Sequence, residues 1–187
     1  MKYIGMMVGM LLFVALGFQT LPALADKTPE EWAKETEDAC TATSVTKPTP
    51  QLIIDKVNQA CTLLQKEGIA AFPKFKGKDS EFVFAGTYIW IHDMTGVMRM
   101  HPVKYKMDGQ SLVDYKDPNG KRFFSEMNKV AKEKGSGWVD YMWPKPGEKA
   151  PSQKVSYVKL CNVHGEDLVI GCGVYDLPES DVQKLLK

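Results

Sequence analysis

Near Phe82 the spacing of apolar residues changes, and that change restricts the architecture this chain can adopt. Upstream, in "QLIIDKVNQACTLLQK", Leu52, Val57, Ala60, Leu63 and Leu64 recur at helical intervals, and Gly68 marks the stop. Downstream, "EFVFAGTYIWIHD" is rich in β-branched and aromatic residues at period two, which predicts a strand. "DMTG" is a turn signal and "VMRMHP" a second strand. "KRFFSEMNKVAKEKG" predicts an amphipathic helix with Phe123, Phe124, Met127, Val130 and Ala131 inward and Gly135 as its stop. "GWVDYMW" reads as a third strand, and "KVSYVKLCNV" and "DLVIGCGVYD" as a hairpin around "HGED". An earlier helix opens at "TPEEWAKETEDACTA", with a threonine cap, proline at the first helical position and two glutamates in the first turn. Helices followed by sequential antiparallel strands predict an α+β domain. It has one five-stranded antiparallel sheet, with a long N-terminal helix on one face.

Residues 1–25 read as a secretory signal: Lys2 supplies the charge, Ile4 to Phe18 the apolar core, and Ala23 to Ala25 a small-x-small cleavage site. The mature chain is then expected to run from Asp26, exported and without stable membrane insertion. The full chain's net charge of +1, from which the signal would remove only Lys2, gives no basic excess for a nucleic-acid or anionic-membrane surface. In an exported chain Cys40, Cys61, Cys161 and Cys172 predict two disulfides. Of three possible pairings we expect the neighbours, Cys40 with Cys61 and Cys161 with Cys172. No CxxC occurs, and the three histidines lack ligand spacing, so neither a metal nor another cofactor is predicted.

Alternation places Tyr88 and Trp90 on one strand face and Ile89 and Ile91 on the other, where an apolar helix would cover them. Val139, Tyr141 and Trp143 share a face in the same way. Two Tyr/Trp pairs make either a small-ligand cage or a second hydrophobic core beneath the loops. His101, locked against Pro102, could meet an anion as imidazolium or donate through one nitrogen. Lys154, at the start of a strand, could add a second cation. His92 and His164 read as surface or hydrogen-bonded residues. Of the acids Asp114 and Asp117, the latter fits a turn or cap in "DYKDPNG". There is no GxSxG and no pair of carboxylates at a defined spacing, so an enzyme is not expected.

Taken in order, "YIWIHDMTGVMRMHP", "DGQSLVDYKDPNGKRFFSEM", "GSGWVDYMWPKPGEKAPSQKVSYVKL" and "VIGCGVYDL" resemble the single Cache domain of the sCache_2-like type. These are extracytoplasmic sensor domains of bacterial chemoreceptors. The resemblance covers about Leu52 to Leu177. It implies a PAS-like sheet with the long helix behind it and a ligand pocket on the other face. It also implies a periplasmic location, and a domain over residues 51–187 after a helical extension over 26–50. The implied ligand is a small organic acid of the acetate, propionate, lactate or pyruvate class. The implied pocket residues are Tyr88, Trp90, His101, Tyr141, Trp143 and Lys154, with Tyr157 and Tyr175 as weaker candidates. A membrane-bound sensor or transporter would be the partner. The alternative is a Cache-fold accessory subunit with no small ligand. Relatives usually lie between two transmembrane helices, and this chain adds a cysteine-bearing helix near residues 30–42.

Overall fold

The structure, a computed structural model, describes residues 27–187. The predicted signal segment lies outside those residues. The first helix, α1 (Pro29–Thr43), starts where the sequence places it. Thr28 Oγ1 accepts from the Glu31 amide, and the Glu31 carboxylate accepts from the Thr28 amide, so two free amides are satisfied reciprocally. Thr49 caps α2 (Pro50–Glu67) from one side only, its Oγ1 accepting from the Leu52 amide at 3.2 Å, and Gly68 ends the helix at φ 64°, a left-handed conformation that favours glycine. The buried stripe of α2 is Ile53, Val57, Ala60, Cys61 and Leu64; Leu52, expected inside, faces solvent.

The strand expected over "EFVFAGTYIWIHD" is broken. Ala85 and Gly86 take positive φ, 45° and 76°, and fold β1 (Val83–Phe84) back on β2 (Thr87–Tyr88) as a small separate hairpin. The central sheet then uses β3 (Trp90–Asp93), β4 (Met98–Met100), β5 (Ser136–Pro144), β6 (Pro151–Val163) and β7 (Glu166–Tyr175). It is five-stranded and antiparallel, in the order β4-β3-β7-β6-β5. Helix α3 (Phe123–Lys134) precedes β5, and α4 (Glu179–Leu185) closes the described chain. Among the described residues no helix is long and apolar enough to cross a membrane.

Two apolar cores sandwich the sheet. Behind it, α2 buries Ile53, Val57 and Leu64 against Ile89, Ile91, Leu168 and Ile170. In front, Tyr88, Trp90, Val139, Tyr141 and Trp143 pack with Phe123, Phe124 and Met127 of α3. The isoleucines and aromatics therefore separate as their alternation requires.

Helix α1 does not form a hairpin with α2. The connection after Thr43 takes α1 to the front, where Cys40 joins the aromatic core while Cys61 stays behind the sheet. Thr36 Oγ1 accepts from the Gly77 amide at 2.8 Å and Thr43 Oγ1 from the Gly86 amide at 3.1 Å, which fixes α1 in place. This overturns the expected pairing of Cys40 with Cys61. The pairing of Cys161 with Cys172 also fails. On the hairpin, Cys172 stands opposite Tyr157, four residues from Cys161. That offset is about 13 Å along a strand, beyond disulfide reach. The bridge instead joins Cys61 of α2 to Cys161 of β6, with Cα atoms 5.8 Å apart. Cys40 and Cys172 are buried thiols on either side of Thr87. Burial pushes them up to about 12 and about 11.

The "DPNG" turn has a positional task. Asp117 Oδ1 accepts from the amides of Asn119 and Lys121, and Oδ2 accepts from Met142 in β5 at 3.0 Å. One carboxylate thereby closes the turn and ties it to the strand that carries Tyr141 and Trp143. Asp114 is an exposed partner of Arg122.

Candidate functional site

The front of the sheet has a depression because its central strand lacks side chains there. Gly171 and Gly173 of β7 both face forward, and Trp90 lies flat over the first. A Cβ at Gly171 would stand 2.2 Å from Trp90 Cζ2, and one at Gly173 would stand 2.0 Å from Ser156 Oγ. Neither glycine has a positive φ, so the requirement is for space. Gly171→Ala is expected to displace the indole and destabilise the fold by about 1–3 kcal/mol. The check is a melting temperature lower by several degrees; an unchanged value would refute this packing.

Around that depression the structure brings together all six residues predicted to form the pocket: Tyr88, Trp90, His101, Tyr141, Trp143 and Lys154. Phe123 and Phe124 complete the wall. The sequence reading assigned both to ordinary helix core, because nothing in their spacing distinguishes a core ring from a wall ring. Phe123 stacks on Tyr141 at 4.2 Å and 12°. The box encloses about 10 Å³ of free space, the room of about one water.

Lys154 is the unusual member. It is 1% exposed, and its Nζ has no hydrogen-bond partner among the described residues. The ammonium lies 4.5 Å from the ring centroid of Tyr88, 5.0 Å from Trp90 and 4.6 Å from Tyr175. Cation–π attraction offsets part of its desolvation. Burial still lowers its pKa to about 7. The Trp90 Nε1–H is a second buried donor with no partner among the described residues. Tyr175, a weaker sequence candidate, thus belongs to the group around Lys154. Tyr157 does not: it packs on the rear face against Trp138.

His101 departs from the imidazolium reading. Its Nδ1 accepts from the amides of Val103 and Lys104 at 3.2 and 2.8 Å, and its own amide donates to Asp108 at 2.7 Å. The ring must then carry its proton on Nε2, the edge turned toward the box. Burial, then the charges of Lys154, Lys104 and Lys76, hold its pKa well below the ordinary value. His101 is therefore a fixed neutral donor.

The tyrosine and indole groups are partly committed elsewhere. Trp143 Nε1 donates to Tyr88 Oη at 3.1 Å. Tyr88 is also bonded to Tyr175, whose hydroxyl donates to the Pro144 carbonyl. Tyr141 Oη lies 3.1 Å from Ser156 Oγ. Burial raises the pKa of all three tyrosines, so they are neutral phenols. The box thus offers one cation and two neutral N–H donors.

The other histidines stand apart. His92 is buried in β3 with Nε2 3.0 Å from Asn128 Oδ1, and burial lowers it to about 4. His164 is exposed in the last turn, near the Gln65 carbonyl. Among the described residues no group of three or more His, Cys, Asp or Glu could hold a metal ion.

Comparison with known proteins agrees with the fold. The dCache_2 model of the Cache domain matches residues 78–186, more than half of the chain. A methyl-accepting chemotaxis protein of Pseudomonas putida, McpP, is 43% identical over 88 residues. That match takes in 47% of this chain but 16% of the relative's length. A Cache chemosensory domain solved as the structural basis for carboxylic acid recognition is 29% identical, at TM-score 0.50. The match covers 76% of this chain and 92% of that one. A methyl-accepting chemotaxis protein from Vibrio parahaemolyticus shares the fold at 22% identity and TM-score 0.55, over 69% of this chain and 84% of that one. With one five-stranded antiparallel sheet, a long helix behind it and the family match over its strands, the chain belongs to the Cache domain family.

Proposed function

We propose that this chain is an extracytoplasmic sensing module that binds a small monocarboxylate in the aromatic box and acts through a membrane-bound signalling partner. The observation that carries the reading is the Lys154 ammonium, buried among rings with no counter-ion among the described residues. An unpaired buried charge is costly, and a carboxylate is the chemical group that relieves it. Trp90 Nε1 and His101 Nε2 supply neutral N–H donors for the remaining lone pairs. The rings of Phe123, Phe124 and Trp143 suit a short apolar tail. Among the described residues no carboxylate lines the box to receive an amino group. Amino acids are therefore expected to be rejected. The 10 Å³ interior means that the rings must part to admit even two carbons. Support for the sensing role comes from the family match and from the chemotaxis proteins that the chain resembles.

The test is thermal stability with millimolar acetate, propionate, lactate, pyruvate, succinate and amino acids. An acid at 100 times its dissociation constant adds about 2.7 kcal/mol, a rise of roughly 5–10 °C for a chain of this size. His101→Ala, which removes one donor to a charged group, should weaken binding about 10- to 100-fold. No response to any acid would favour a Cache-fold accessory subunit. Unchanged affinity in His101→Ala would remove that residue from the site.

A further inference from the structure

Among the described residues, the groups that face the Lys154 ammonium are neutral. Tyr88, Trp90 and Tyr175 present rings. The Cys40 and Cys172 thiols are buried and protonated. Tyr141, opposite Lys154 on β5, is a buried phenol. His101 is held as the neutral Nε2–H tautomer by its own loop. The nearest carboxylate on that loop, Asp108, is spent on the His101 amide and lies 3.9 Å from Lys76. Lys104, on the same loop, lies over Trp143 and adds to the positive field. Among the described residues the fold therefore supplies no internal counter-charge for this lysine.

We propose that the box takes up its acid anion together with one proton, so that the site responds jointly to carboxylate and to pH. This rests on the carboxylate reading above. A buried amine with no counter-ion favours its neutral form, because the charged form has left water without compensation. Entry of R–COO⁻ provides the missing charge. The balanced event is R–COO⁻ plus H⁺ from solvent plus the Lys154 amine, giving R–COO⁻ hydrogen-bonded to the Lys154 ammonium. No covalent bond to carbon changes, and the box holds no net charge before or after. The lysine titrates near 7 without a partner and higher with one, so both the ionic and the neutral state are accessible within a compartment's ordinary pH range. In this scheme a rise in external acidity strengthens binding even at constant anion concentration. The chain then detects acid load rather than anion alone.

The experiment is calorimetric titration of the folded chain with acetate and with propionate, in buffers of different ionisation enthalpy, from pH 5.5 to 9. Proton uptake is expected to be near zero at pH 5.5 and to approach one per acid bound by pH 8.5. The apparent dissociation constant should be flat below about pH 6.5. It should rise by about tenfold per unit above pH 7.5, until the bound lysine itself titrates. Lys154→Arg, permanently charged, should abolish proton uptake wherever it still binds. Binding of wild type with no proton uptake at pH 8.5 would overturn this inference alone. Absence of binding for both acids at pH 6 would overturn the carboxylate reading and this one with it.

Discussion

Lys154→Met is expected to make the ligand-free protein more stable while abolishing its response to carboxylates. Below pH 7 the wild-type ammonium is charged in both the folded and the unfolded chain, but only the folded chain holds it away from water. A folded-state pKa lowered from 10.5 to about 7 means the penalty is fully present below 7. It fades as pH rises toward the unfolded value, because the folded protein sheds its proton first. Methionine matches the stem's volume, removes the charge and keeps the apolar contacts. Some cation–π attraction is lost in exchange. Replacing buried charged groups by apolar ones of similar volume is worth about 1–4 kcal/mol where it stabilises. The melting temperature at pH 6 should therefore rise by several degrees. The gain should be smaller at pH 9. The same variant should show no shift with acetate or propionate at any concentration that saturates wild type. A lower melting temperature at pH 6 would mean that the ammonium has a stabilising partner. A retained carboxylate response would move the binding site elsewhere. The expected combination, more stable and inactive, is what a strained binding residue produces.

The second large effect concerns the bridge between Cys61 and Cys161, which spans a sequence separation of 100. Closing a loop of that length is worth about 4–5 kcal/mol in the chain-entropy account. Replacing both cysteines by serine should lower the unfolding midpoint in urea accordingly, with little change in slope. The melting temperature should fall by roughly 10–20 °C. Cys40→Ser with Cys172→Ser should leave the bridge intact. Alkylation of the denatured, unreduced wild type should modify two cysteines, and mapping should place the labels at Cys40 and Cys172. Labels at Cys61 or Cys161 would refute the pairing.

Much of this fold was legible because local chemistry and tertiary structure agree. The threonine cap, Pro29 and the first-turn glutamates announce α1, apolar residues at helical spacing announce α2, and Gly68 and Gly135 stop their helices. Period-two alternation separated Ile89 and Ile91 from Tyr88 and Trp90 correctly. What remained hidden depends on which surface receives a helix. The apolar stripe of α1 says that the helix is covered, not by which face of the sheet, and the cysteine pairing follows from that choice. The break at Ala85 was equally hidden, because a non-glycine residue in the left-handed region carries little sequence signal. At the site, spacing identified the Tyr and Trp pairs, but it could not distinguish an imidazolium from a neutral ring. His101 is set by amides two and three residues ahead in its own loop, a geometry that no side-chain pattern records.

The Asp117 turn has a consequence beyond the site. Strand β5 is an outer strand of the sheet, and an outer strand offers a row of unpaired amides and carbonyls to any other chain able to extend alongside it. Asp117 occupies the Met142 amide in that row, and Lys121, from the same turn, pairs with Asp140 two residues away. The carboxylate that aligns the aromatic wall thereby also covers part of an edge where a further strand would otherwise find a free amide.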